Sequence, residues 1–329
     1  MDFVRVIGDA LRAALGLEAA VYALAAIGLN VHFGYTGLLN FGQVGFMLVG
    51  AYGLAITVST FGGSMWLGML VGVLLAVVLA ILLGGPTLRL RADYLAITTI
   101  AAAEILRFTF RSSPATGVTG GVFGLQRFAD AFYEINPLPQ GTYGFWVVQF
   151  SHRRMWVMLV AWGLVALSCL MVWALMHSPW GRVLKSIRED EEAARSLGKN
   201  VFSFKMQGLI LGGVFGALSG IFLAIGQQAV SPDTYIPQIT FFTYTVLILG
   251  GAARVFGPVL GSVLFWLLIA GTDSFIRRAA SAGMLPEVFF GSDTIGAVRF
   301  MLVGAGLMIL MIYRPEGILG DRREMQLDV

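Results

Sequence analysis

From its first residues the chain alternates long apolar runs with polar interruptions. The runs fall near 13–33, 37–60, 64–84, 92–110, 155–176, 204–226, 238–252, 256–274 and 296–313. Most are roughly 18 to 24 residues long, the length at which an α-helix rising about 1.5 Å per residue crosses about 30 Å of hydrocarbon. Ten-residue segments of strict alternation are missing, which excludes a membrane β-barrel. The pattern predicts an all-α, polytopic transmembrane bundle of about eight to ten crossings, with 1–329 forming a single membrane domain. Two hydrophilic connections are long: 111–154, rich in Pro, Gly, Thr and aromatics, and 177–203, rich in Arg, Lys and acids.

The second run is punctured. It reads GYTGLLNFGQVGFMLVGAYG, with Asn40 and Gln43 among glycines at 34, 37, 42, 45, 50 and 53. Exposed to lipid, such a stretch would leave backbone and amide groups without partners, so it is expected to be a broken helix facing protein or a water-filled path. Gly212, Gly216 and Gly220 recur every fourth residue, as do Gly257 and Gly261. That spacing predicts close helix packing. Each half of the chain has a Gly-rich segment followed by long apolar runs, a weak internal repeat.

Composition agrees. Of 329 residues 57% are hydrophobic and 12% charged, and mean hydropathy is +0.80, whereas soluble domains carry about a quarter charged residues. The net charge of +3 does not point to nucleic acid, because the basic residues are scattered between apolar runs. They read as topology signals. Arg182, Lys185, Arg188, Arg195, Lys199 and Lys205 form the densest basic cluster and place 177–205 in the cytoplasm. Alternation then places the tail with Arg314, Arg322 and Arg323, and the short loop with Arg89 and Arg91, on the same side. The 111–154 segment falls outside, and Arg153, Arg154, Arg277 and Arg278 fall there against the rule. Cys169 has no second cysteine to pair with, and His32, His152 and His177 share no ligand spacing, so no metal site is expected. The mixed charge of the first twelve residues and Glu18 argue against a removed signal peptide.

The stretch from Arg182 to Lys199 holds nine of the chain's 22 basic and 19 acidic residues. SPWGRVLKSIRED places a capping Ser178 before Pro179 and then Val183, Leu184 and Ile187 at helical spacing, predicting an amphipathic surface helix. Acidic residues 189–192 next crowd the start of a second, stubby helix, Arg195 falls in its last turn, and Gly198 is the expected left-handed stop. About two turns are too few to be stable alone, so this stub is expected to dock on something through a small face of Ala193, Ala194 and Leu197.

The order Glu192-Ala193-Ala194-Arg195-Ser196-Leu197-Gly198 resembles the E-A-A-x-x-x-G cytoplasmic loop by which permeases of bacterial ATP-binding cassette importers dock on their ATPases. The ending KNVFSFKMQ is similar to that of LivM-type permeases of branched-chain amino acid importers. GYTGLLNFGQVGFMLVGAYG, LRLRADYLAITTIAAAEILRF, TGGVFGL, LILGGAARVFGPVLGSVLF and YRPEGILG resemble that family too, covering 28–128 and 178–320. Ala92 and Ala103 depart from it, standing where glycine is usual, as do Val122, Phe123 and Arg254. A urea-importing relative is less similar around 89–124.

The resemblance implies a subunit without catalysis in a bacterial inner membrane, with a cytoplasmic C-terminus. It would carry branched-chain or hydrophobic amino acids by alternating access. The implied partners are a second, homologous permease forming a heterodimer, two cytoplasmic ATPases and an external substrate-binding protein delivering over 111–154. Glu192, Ala193, Ala194, Leu197 and Gly198 would couple to the ATPases. No G-x-x-x-x-G-K-S/T loop exists to cradle ATP phosphates, so no cofactor is expected on this chain and ATP would be hydrolysed by the partners.

Five other positions are candidates. Thr98 and Thr99, with Asn40 and Gln43, are candidates to hydrogen-bond a zwitterionic solute in passage. Glu104 is an ionisable group inside a run, costly unless paired or wet, and Arg107 three residues on is its expected partner. An ion-coupled secondary transporter would want further buried acids, and a permease for urea or short-chain amides remains the alternative within the importer class.

Overall fold

The computed structural model describes residues 3–89, 92–145, 147–281, 295–314 and 316–320. Arg91, Arg322 and Arg323, counted above as topology signals, lie outside the described residues. Helix occupies each of the nine apolar runs. In chain order the first helices are α1 (Phe3–Leu15), α2 (Leu17–Leu29), α3 (Gln43–Ser59), α4 (Met65–Thr87) and α5 (Ala92–Arg111). Two short helices follow, α6 (Thr116–Thr119) and α7 (Asp130–Glu134), then α8 (His152–His177). The charged segment is α9 (Pro179–Glu189) and α10 (Glu191–Ser196), followed by α11 (Val201–Gln227), α12 (Pro237–Gly250), α13 (Gly257–Ser281) and α14 (Ile295–Tyr313). The strands are short: β1 (Leu125–Gln126) pairs antiparallel with β4 (Ala229–Val230), and β2 (Thr142–Phe145) with β3 (Val148–Ser151).

Among the described residues five helical stretches, Leu17–Tyr35, Met65–Thr87, His152–His177, Val201–Gln227 and Gly257–Ser281, are long and apolar enough to cross a membrane. The centre is α2 and α3, nearly all of whose residues are buried, with α11, whose buried residues are concentrated between Gly208 and Ile225. α4 shows the membrane logic most plainly. Its small residues Gly68, Gly72, Ala76, Ala80 and Gly84 recur every fourth position and are buried or half-buried, while Leu70, Leu74, Val78 and Leu82 on the other face are each about half exposed or more. In water that second face would be a large apolar patch; in lipid it is ordinary, and the small residues let the backbones meet. A Cβ on Gly68 would lie 3.0 Å from the Leu54 carbonyl oxygen.

The first residues form a helix that the mixed charge of the sequence did not announce. α1 buries Ala10 and Ala14, and Ala10 packs against Gly271 of α13. Asp9 accepts from Arg278 at 2.9 Å and Ser274 at 2.8 Å. At that end of the molecule, away from α9 and α10, three of the four arginines that offended the topology rule have partners. Besides Arg278 with Asp9, Arg277 meets Asp273 at 2.8 Å, and Arg153 lies over the Tyr133 ring.

Candidate functional site

The apolar helices α3 and α12 are too short to cross alone. α3, with 17 residues, rises about 26 Å and α12, with 14, about 21 Å. Each adjoins a break. α2 loosens into a π-helical turn over Asn30–Tyr35, and residues 37–42 then run non-helically to α3. The second break, residues 251–256, separates α12 from α13. The expected puncture around Asn40 is therefore present, and a second break faces it.

Broken backbone inside a bundle needs partners, and here side chains supply them. The Asn40 amide donates to the Tyr244 hydroxyl, which donates in turn to the Asn40 carbonyl, both at 3.1 Å. Phe41 N donates to Thr99 Oγ1 at 3.1 Å, Gly42 N to Asn40 Oδ1 at 2.9 Å and Val44 N to Thr240 Oγ1 at 3.0 Å. Asn30 clamps the other break: it receives from Ala253 N and donates to the Arg254 carbonyl, each at 2.8 Å. Beyond α14, residues 316–320 return to cap α12, Ile318 N donating to Leu249 O and Leu319 N to Gly250 O. Those are carbonyls that a helix end leaves open.

A polar chain joins the breaks to α11. Asn40 Nδ2 lies 3.0 Å from both His32 Nδ1 and Gln43 Oε1. His32 Nε2 lies 3.0 Å from the Leu209 carbonyl. Since a carbonyl only accepts, Nε2 carries the proton and Nδ1 accepts from Asn40, which fixes the neutral tautomer. Gln43 Nε2 reaches the carbonyls of Ala25 and Gly212 at 3.3 and 3.2 Å. The glycine stripe of α11 makes room for this, since a Cβ on Gly216 would lie 2.7 Å from Gln43 Nε2. His32, Asn40 and Gln43 are fully buried, and every hydrogen bond named here runs to protein.

Of the candidate path residues, then, the structure brings Asn40, Gln43 and Thr99 together. Thr99 donates to its own Ala96 carbonyl at 2.9 Å, and Thr98 beside it is half-buried. Glu104 lies elsewhere, toward the opposite end, where Arg107 grips it at 2.7 and 2.9 Å and Asp233 stands 3.4 Å from both Arg107 and Arg111. That is the expected ion pair, extended by one acid. Asn30, His32 and Tyr244 were not on the candidate list. Asn30 and His32, a polar pair two residues apart at the end of an otherwise apolar run, carried a signal; Tyr244 carried none.

The charged arm has the predicted form, with two differences. Pro179 opens α9, Asp190 accepts from Ala193 N at 2.9 Å as the cap of α10, and Gly198 takes the left-handed conformation at φ +77°. Ser178, however, does not cap α9 with its hydroxyl, which bonds the Leu175 carbonyl of α8 instead. Nor do the apolar residues of α10 form one face. Ala194 turns inward, packing with Ile187 and Val201, while Leu197 points out, 79% exposed, and Ala193 and Glu192 are exposed beside it.

The arm is tied to the site at two points. Arg188 Nη1 donates to the Gly34 carbonyl within the π turn, and its Cα lies 3.8 Å from where a Cβ on Gly37 would stand. Glu191 pairs with Lys205 on the first turns of α11, and with Arg195 at 2.8 Å. Between these ties lies a cavity of about 250 Å³, lined by Thr36, Gly37, Leu38, Arg188, Glu191 and Lys205 among others. Gly37, at φ +72°, turns the chain there, where a side chain would be strained.

Comparison with known proteins gives this geometry its setting. Residues 13–312 match the family model described as branched-chain amino acid transport system / permease component. Over 309 residues the chain is 30% identical to the high-affinity branched-chain amino acid transport system permease protein LivM of Salmonella typhimurium, covering 91% of this chain and 68% of that one. It is 28% identical over 268 residues to the nucleoside ABC transporter permease protein NupC of Lactococcus lactis, covering 77% and 76%. It is 23% identical over 319 residues to the permease protein LivH of the same system in Escherichia coli, covering 92% of each. A chain that breaks its central helices, satisfies them internally and suspends a charged arm beside them thus belongs to the family of branched-chain amino acid transport permease components.

Proposed function

We propose that this membrane-spanning ABC permease is driven through its arm. Cytoplasmic ATPases would grip Glu192, Ala193, Leu197 and Gly198 on the outward side of α10. The inward side, with Ala194, would carry their motion into the membrane. The observation that carries this reading is the double tie: Arg188 holds the π turn of α2, and Glu191 holds α11 through Lys205. A displacement of the arm would therefore pull on both walls of the buried polar cluster. Asn40, Gln43 and Thr99 would then be the closed gate of the route, meeting solute only once the breaks part, an arrangement suited to alternating access.

The substrate class is taken as branched-chain or hydrophobic amino acids, in keeping with the family. Similarity to LivH as well as LivM supports a second, homologous permease as partner, with an external binding protein delivering to the 111–154 end. The nucleoside-permease relative is the reason selectivity is assigned to that delivery rather than to the gate.

The test is accessibility. Leu197→Cys in the full complex should react with a membrane-impermeant maleimide from the cytoplasmic face of vesicles, and ATPases should protect it. Labelling from the outer face, or labelling indifferent to ATPases, would remove the arm from this role.

A further inference from the structure

At the end opposite the arm, α1, α2, α8 and α11 enclose a cavity of about 520 Å³. That is the size of a small-ligand site. One wall is apolar, built from Leu17, Val157, Met158 and Leu223. The rim carries both signs of charge. Glu18 starts α2, and its carboxylate folds back over Gly16, with Oε2 3.4 Å from where a Cβ on that glycine would stand. Arg154 comes from the first turn of α8, and Arg12 from α1, where it spends one nitrogen on the Val147 carbonyl at 3.2 Å. Among the described residues neither Glu18 nor Arg154 has a side-chain hydrogen bond or ion pair. Asp9, also at the rim, is already committed: burial opposes its charge, but the Ser274 hydroxyl and Arg278 guanidinium outweigh burial and hold its carboxyl below the ordinary value.

We propose that this cavity is a binding site for a zwitterion with an aliphatic tail. Arg154, helped by Arg12, takes the anionic group, Glu18 takes the ammonium, and the tail lies along Leu17, Val157, Met158 and Leu223. Charge-assisted hydrogen bonds of both signs against an apolar wall discriminate a zwitterion from a plain acid, amine or hydrocarbon. Its position fits a waiting site before the gate. Glu18 and Ala25, whose carbonyl receives Gln43, are seven residues and about 10 Å apart along α2. A free amino acid and a zwitterionic phospholipid headgroup share this chemistry; assignment to the amino acid rests on the transport reading above.

The experiment uses the complete permease complex in nanodiscs of anionic lipid, without binding protein, titrated with labelled L-leucine. Leucine should bind and be displaced by valine, but not by leucinamide or 4-methylpentanoate, each of which lacks one charge. Glu18→Gln and Arg154→Gln should each weaken binding about tenfold or more. Adding phosphatidylethanolamine should compete in the wild type and not in the variants if headgroups also use the site. Wild-type binding of neither leucine nor headgroup, equal competition by the singly charged analogues, or variants within about twofold of wild type would overturn the proposal. ATP-driven leucine uptake with binding protein, measured in parallel, separates the two ideas. Uptake without binding at the cavity sinks the site alone, whereas a wild type that takes up no leucine sinks the transport reading.

Discussion

The buried cluster around Asn40 and the exposed arm around Leu197 are both polar interruptions of an apolar chain, yet they are built in opposite ways. In the cluster, amide, imidazole and hydroxyl groups are out of reach of water and bonded to protein. On α10 the outward residues are exposed, and what order the stub has comes from Asp190, Ala194 and the Glu191–Lys205 pair. Buried polar groups are costly to leave unpaired, whereas exposed ones exchange partners freely. The cluster should therefore govern whether the bundle holds together, and the arm should govern what the bundle responds to.

That contrast breaks most visibly at Asn40. Asn40→Leu strands His32 Nδ1, Gln43 Oε1 and the Gly42 amide in the interior, and should cost about 3 kcal/mol of stability. Thermal unfolding in detergent reads this directly, and an unshifted transition would mean the cluster is not what closes the bundle. Gly198→Val is expected to do the reverse. A Cβ there meets nothing within 4 Å, so only the left-handed backbone is penalised, by about 1–2 kcal/mol. Unfolding should stay near wild type while uptake per ATP falls about tenfold, and Gly198→Asn, which tolerates that conformation, should retain coupling. Smallest is Glu191→Gln, which weakens a partly exposed pair. The arm's hold on α11 should weaken by about 0.5–1 kcal/mol, seen as a few-fold drop in uptake per ATP with unfolding of the bundle unchanged.

What the sequence made legible divides along the same line. The arm was readable because its determinants are local: Pro179 at a first turn, Asp190 before two glutamates, Gly198 at a stop. Its split into inward Ala194 and outward Leu197 was not, because that depends on docking against Ile187 and Val201. Asn40 and Gln43 stood out among glycines, but as candidate path contacts rather than as mutual partners. Asn30 and His32 were not legible as clamps because the carbonyls they satisfy, on Arg254 and Leu209, are 224 and 177 residues away. The same is true of α1, whose mixed charge makes sense only beside Arg278 and Gly271 of α13.

If the arm and the segment just beyond the π turn of α2 travel together, tying them covalently should cost no uptake beyond the strain of a side chain at Gly37, which Gly37→Cys alone measures. A Cβ on Gly37 would lie 3.8 Å from Arg188 Cβ, the separation typical of a disulfide. In Gly37→Cys/Arg188→Cys, reconstituted with its ATPases, uptake should persist while the disulfide is formed and fall when it is reduced, since reduction leaves the arm without its hold on α2. Uptake abolished by the disulfide and restored by reduction would show that the two must separate, and would contradict the mechanism.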